Sequence, residues 1–203
     1  MPGDKRRDDN SAMPAKREGG SDRAVGAETV EAAALDYLGR YASSSANLRR
    51  VLMRRVARWA DRGRVDATLA ARWVEDILVR YHATGLLDDR AYAGRQAVSL
   101  GRRGVSAAGI RFRLRQKGVD EAFIRAALAA RRDEGGGELE AACVLARRRR
   151  LGPYRPQAAR AEFRDRDRAV LARAGFALDI ARRVLAAASP DALEALVREA
   201  AEE

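Results

Sequence analysis

The side chains in this sequence whose type and spacing point to chemistry are arginines, 37 of them beside 3 lysines. From Arg102 to Lys117 the chain carries Arg102, Arg103, Arg111, Arg113, Arg115 and Lys117 without a single Asp or Glu. Arg102 and Arg103 stand just ahead of a helix start at Ser106. Along that helix Arg111 and Arg115 lie four apart on one outer face, and Arg113 and Lys117 form a neighbouring row. A second basic run holds Arg147, Arg148 and Arg150, and Arg160, Arg164 and Arg168 follow at spacings of four. A guanidinium is a planar fork that bonds both oxygens of a phosphate or carboxylate at once. A merely solvated helix face more often interleaves Glu with its Arg. These residues predict a surface that binds polyanions or acidic partners.

The charge balance of the whole chain points the same way. The net charge is +11, and 23 basic against 10 acidic residues fall between Arg90 and Arg183. That stretch carries the positive field, which attracts polyanions, nucleic acid above all. Outside the arginines the chemical inventory is thin. One histidine, His82, and one cysteine, Cys143, leave no two-His or multi-Cys metal motif and no internal disulfide. Gly135-Gly136-Gly137 lacks the Lys-Ser/Thr of a phosphate loop and follows no strand, so it is read as a linker. Gly101-Arg102-Arg103-Gly104 is read as a helix break. Asp88-Asp89 precedes Tyr92-Ala93 as a helix start, where acids satisfy free N–H groups. No catalytic, metal-ligating or cofactor-binding residue is expected, and no cofactor.

The elements that must position the arginines are helices. Hydrophobic residues make up 47% of the chain, aromatics only 5%, and Ala is abundant, a profile that favours helix over strand. No apolar run approaches the roughly 20 residues that span a bilayer, and a cytoplasmic protein without a membrane partner is expected. Residues 1–27, rich in Gly, Ser, Asp and Arg, predict a disordered tail. Residues 28–84 carry three apolar stripes: Ala33, Leu35, Leu38, Tyr41; then Leu48, Leu52, Val56, Trp59; then Leu69, Trp73, Ile77, Leu78, Tyr81. Residues 85–134 repeat the scheme with three more helices, 138–188 with a third set, and Ser189-Pro190-Asp191 starts a short C-terminal helix over 189–203. The second and third sets share an internal repeat. Leu114, Gly118, Val119, Phe123 and Leu128 match Leu171, Gly175, Phe176, Ile180 and Leu185 at equal offsets from the glycine. A glycine there suits the left-handed residue that ends a helix, with an apolar residue folding back after it.

Several of these segments resemble the RecX regulators of the bacterial RecA recombinase. Gly85-Leu86-Leu87-Asp88-Asp89-Arg90-Ala91-Tyr92-Ala93 is similar to the family's Gly-aromatic-Leu-x-Asp-x-x-Phe/Tyr-Ala, with Leu86 in place of the aromatic. Gly104, Ile110, Leu114 and Lys117-Gly118-Val119 resemble the segment that follows. Ala34-Leu35-Asp36-Tyr37-Leu38 and Ser44 to Leu48 resemble the family's opening, with Asn47 where the family has Glu, and Arg173-Ala174-Gly175-Phe176 resembles its last repeat. The resemblance implies an all-α, elongated and curved protein of three tandem three-helix repeats. It also implies a regulator, not an enzyme, that lodges in the groove of the RecA filament on DNA. There it would reduce ATP hydrolysis, strand exchange and co-protease activity. A monomer that meets DNA, single-stranded, within the filament or weakly alone, is expected. The rival expectation is a sequence-independent DNA-binding protein with no protein partner, recognisable by steep salt dependence.

Overall fold

The structure is a computed structural model that describes residues 24–133 and 137–202. Among these residues there are ten α-helices and no strand: α1 Ala27–Arg40, α2 Ser45–Ala60, α3 Ala67–Ala83, α4 Asp89–Gly101, α5 Ala107–Gln116, α6 Glu121–Asp133, α7 Glu138–Arg149, α8 Arg160–Arg173, α9 Leu178–Ala186 and α10 Pro190–Glu202. Two short 3-10 turns, Gly152–Tyr154 and Gln157–Ala159, join α7 to α8. The expected tail lies, up to residue 23, outside the described residues. Its last part is structured: Val25 is buried, and its N–H donates to the Arg64 carbonyl at 2.9 Å.

The helices begin where short polar side chains meet free backbone donors. Ser44, Asp66, Asp88 and Ser106 are the N-caps of α2, α3, α4 and α5, each accepting the N–H three residues on. Such a cap contributes about 0.5–2 kcal/mol. Ser189 does the same for α10, accepting from Ala192 N–H at 3.1 Å, with Pro190 at the first helical position. Gly118 and Gly175 follow the ends of α5 and α8 with φ of 74° and 86°, a region open to Gly at no steric cost.

Buried side chains fall into three clusters, one for each set of helices. The first gathers Val30, Leu48, Leu52, Val56, Val74 and Ile77 from α1, α2 and α3. The second gathers Tyr92, Ala93, Ala97, Ile110, Leu114 and Ile124 from α4, α5 and α6. The third gathers Leu139, Ala142, Leu171, Val184 and Leu193 from α7 to α10. Fully burying one Leu or Ile contributes roughly 1.5–3 kcal/mol, so each cluster holds its own helices together.

Two of the stripes expected in the first set are shifted. Leu35 and Tyr41 of the first stripe are exposed, while Val30, Ala33 and Ala34 face the core. Leu69 is likewise exposed, and Ala70 and Val74 are buried one residue along. Close packing through Ala and Val brings these helices together, and the larger residues flank the contact. In the internal repeat, the offsets at −4 and +1 from the glycine are buried in both copies. At the third helix, the buried pairs are Ile124/Ala181 and Ala127/Val184, beside the partly exposed Phe123 and Ile180.

The third set contains a buried ion pair. Asp167, 1% exposed, accepts two hydrogen bonds from Arg155 at 2.8 and 2.7 Å and one from Gly152 N–H at 2.9 Å. Burial pushes this carboxyl up. The Arg155 and Gly152 hydrogen bonds and the Arg155 and Arg166 charges outweigh it, so the pKa lies below the ordinary carboxylate value. The Arg155 guanidinium also lies over the Phe163 ring, 4.4 Å from its centroid, a cation–π arrangement.

Candidate partner interface

The sets are joined by one bonding plan used twice. Ser44 Oγ donates to the carbonyl of Lys117, the last residue of the α5 turn. Ser106 Oγ donates at 2.6 Å to the carbonyl of Ala174, the corresponding residue after α8. Asp89, first residue of α4, accepts the N–H of Ser45 at 2.8 Å. Glu138, first residue of α7, accepts the N–H of Ala107 at 3.0 Å. In both places the next set's leading carboxylate and its second helix's carbonyl close the start of the previous second helix. The glycines complete the fit. A Cβ on Gly118 would stand 2.4 Å from Ala46 Cβ, and one on Gly175 would meet Ser106 Oγ at 2.8 Å and Ala108 Cβ at 3.2 Å. Helices α8, α5 and α2 therefore meet tip to tip.

This plan accounts for several motif residues. Asp88 caps its own helix while Asp89 reaches back to α2 and also accepts from Ser45 Oγ at 3.0 Å. Tyr92, Ala93, Ile110 and Leu114 are core, and Gly85, with φ 73°, turns the chain after α3. Asn47 at the family's Glu position is a cross-link. It donates to Ser43 Oγ at 2.8 Å and Tyr37 Oη at 3.0 Å, and its Oδ1 accepts from Lys117 Nζ at 3.3 Å. His82 Nε2 bonds Ser45 Oγ at 2.7 Å, and buried Cys143 lies 3.3 Å from Tyr154 Oη. Among the described residues no group of three or more His, Cys, Asp or Glu is placed to hold a metal. Among those residues no helix is long and apolar enough to cross a membrane.

The arginines named from the sequence are exposed, apart from the half-buried Arg160, but they do not form one patch of free charge. Arg111 and Arg115 do share a face, where both bind Glu121 of α6, at 3.1 and 2.8 Å. The acid missing from 102–117 is supplied by the next helix folding back alongside. The Arg113 side chain has no hydrogen-bond or ion-pair partner among the described residues, and Lys117 is tied to Asn47. Arg102 and Arg103 close α4, and Arg148 joins them by donating to the Arg103 carbonyl at 2.7 Å. Arg147 and Arg150 follow at the end of α7, where Arg150 adopts φ 53°. Arg160 is partly buried and donates to the carbonyls of Arg155, Pro153 and Ala188, so it braces the third set.

Charge arithmetic over long stretches hid a further basic element. α2 carries Arg49, Arg50, Arg54, Arg55 and Arg58 and no acid. Arg49 pairs with Glu75 and Arg55 with Asp36, whereas the Arg54 side chain is unpaired among the described residues. The mixed-sign residues 1–27 and the acids of α1 and α3 offset α2 in the sum. Scanning helix by helix for acid-free segments would have found it.

An all-helical chain built of stacked helix sets, with basic helices at their joints, is the class that fold and surface define. Comparison with known proteins carries this further. No family model matches the sequence. The chain is 42% identical over 164 residues to a protein of Myxococcus xanthus (strain DK1622) named regulatory protein RecX, across 80% of this chain and 87% of that protein. A crystal structure of a regulatory protein RecX superposes with a TM-score of 0.52 and 24% identity, covering 79% of this chain and 73% of that one. The chain belongs to the RecX family of regulatory proteins.

Proposed function

We propose that this protein regulates the RecA recombinase in the cytoplasm, binding the RecA–DNA filament along its groove and lowering ATPase, strand-exchange and co-protease activity. The observation that carries this reading is the 42% identity to a RecX regulatory protein over most of both chains. The stacked sets support it, because repeated units build extended surfaces suited to a long partner. The partner is an acidic or phosphate-bearing surface met by Arg102, Arg103, Arg113, Arg147, Arg148 and Arg150. Arg111, Arg115 and Lys117 flank that contact, their charge partly met within the chain. The reading needs no cofactor and no catalytic step, and a monomer suffices.

The test is recombinase ATPase and strand exchange on single-stranded DNA with substoichiometric protein. Inhibition far below the amount needed to coat the DNA supports filament recognition. Inhibition only at coating levels, lifted by competitor DNA, supports the second reading, a sequence-independent DNA-binding protein. The observation favouring that second reading is that α2 and α5 carry eight arginines and no acid between them.

A further inference from the structure

Phe112 is 62% exposed, in the middle of a helix whose core-facing residues are Ile110 and Leu114. At 100° per residue it lies on the side of α5 facing away from that seam. Its sequence neighbours are Arg111 and Arg113, and one turn on stand Arg115 and Gln116. The surface continues across the joint onto α2, because Arg50 donates to the Gln116 carbonyl at 3.1 Å. Along α2, Arg50 and Arg54 share an outer face with Met53 and Ala57, which together line a shallow groove. Phe112 is thus followed, across a direct hydrogen bond, by a basic groove on a helix that has no acid.

We propose that α5 and α2 form a track for single-stranded nucleic acid, with Phe112 stacking on an unpaired base and Arg113, Arg50 and Arg54 meeting the phosphates. An aromatic ring in solvent costs burial that nothing in the fold recovers, and a base face is a flat apolar surface that would cover it. Duplex DNA hides its base faces in the stack, so arginines alone would serve there. An anchor for a protein pocket would not need two flanking helices devoid of acid. The third second-helix, α8, is unlike the other two. It carries Glu162, Asp165 and Asp167, and it presents no exposed large apolar residue. The track therefore belongs to the first joint. It shares only Arg113 with the surface proposed for the filament, which centres on Arg102, Arg103 and Arg148, and its test uses no recombinase.

The experiment measures anisotropy of a labelled oligo(dT) of about 15 nucleotides, and of a duplex of equal length, against a salt series. Wild-type protein is expected to prefer oligo(dT). Phe112→Ala should weaken oligo(dT) binding by about five- to a hundredfold, the range for loss of one stacked base. Its effect on the slope of log K against log salt should be nil. Phe112→Trp should restore binding, with quenching of the new fluorophore, and Phe112→Leu should not. Arg50→Glu with Arg54→Glu should instead flatten the slope, by about 0.7 per lost phosphate contact. Circular dichroism confirms that each variant folds. Equal affinity of wild type for duplex and oligo(dT), or unchanged binding by Phe112→Ala and Phe112→Leu, overturns the proposal. So does a Phe112→Ala protein that keeps oligo(dT) affinity and loses only recombinase inhibition, which would make Phe112 an anchor for a protein.

Discussion

At the joint of the first and second helix sets, Ser44 reaches Lys117 and Asp89 reaches Ser45; at the joint of the second and third, Ser106 reaches Ala174 and Glu138 reaches Ala107. The bonds correspond one to one, yet their surroundings differ. Around the first joint the added contacts are polar and near solvent: Lys117 with Asn47, Arg50 with Gln116, Ser45 with His82. Around the second, Gly104 lies against the backbone of α7. Arg131, 6% exposed, runs past Gly101 to bind the Gly137 carbonyl at 3.0 Å and stands 3.8 Å from Glu140. A backbone contact has no room to move, whereas a polar contact at the surface is exchangeable with water. One plan thus yields a tight joint and a yielding one.

Breaking the tight joint has the largest expected effect. Gly104→Ala puts a Cβ 2.9 Å from Leu145 N and 3.1 Å from Ala141 O at φ 80°. It should lower urea-unfolding stability by about 3 kcal/mol, with the second and third sets losing protection from hydrogen exchange together. Gly118→Ala puts a Cβ 2.4 Å from Ala46 Cβ at φ 74°, but this contact and that with Arg50 are to side chains at the tip of α2, which can shift away from the joint, and about 1–2 kcal/mol is expected. If both variants lost the same stability, the two joints would be equally stiff and the comparison would fall.

Removing the serines is the next step down. Ser106→Ala leaves the Ala174 carbonyl and Gly109 N–H without their partner, at a cost of about 2 kcal/mol. Ser44→Ala should cost closer to 1 kcal/mol, because Lys117, whose carbonyl loses its donor, is an exposed residue whereas Ala174 is half-buried. Hydrogen exchange should accelerate at the start of α2 alone in the second variant.

Titration separates Glu138 and Asp167, two acids of the C-terminal half shifted in opposite directions. Burial pushes the Glu138 carboxyl up, against the Ala107 N–H and the Arg131 charge. The folded chain therefore takes up this proton before the unfolded one does. Its contribution to stability rises as pH falls through the folded pKa and levels off below the unfolded value of about 4.3. Asp167 is the reverse: its stabilisation is complete above about pH 3.9 and is lost as pH falls further through its depressed folded pKa. In thermal melts Glu138→Gln should flatten the rise on the acid side of neutral, and Asp167→Asn should remove the loss at lower pH. An unchanged acid limb in Asp167→Asn would refute the role of that ion pair. The smallest effect belongs to Lys117→Met, which removes a half-buried bond from an exposed lysine to Asn47 and should shift stability by about 0.5 kcal/mol.

Much of this architecture was readable beforehand, for physical reasons. Gly118 and Gly175 declare helix ends because a left-handed residue favours glycine, and Ser44 and Ser106 declare helix starts because their side chains cap free N–H groups. The second bonds of those serines, across 73 and 68 residues, depend on how sets stack and leave no local trace. Leu35 and Leu69 misled because side-chain size was taken for burial, while small Ala33, Ala34 and Ala70 made the closest approach. At the candidate surface, Arg111 and Arg115 looked free because Glu121 belongs to the next helix. Phe112 escaped notice because a sequence does not tell an exposed aromatic from a core one.

The tip-to-tip meeting of α8, α5 and α2 has a mechanical consequence. A tip contact acts as a pivot, and the helix beyond it acts as a lever arm. α2 has 16 residues and is about 24 Å long, so a 10° rotation at its pivot sweeps its far end by about 4 Å. Two pivots in series add their rotations, and the one with exchangeable polar contacts is the more compliant. The first helix set is therefore the arm best able to change its angle, while the other two sets move as one stiff body.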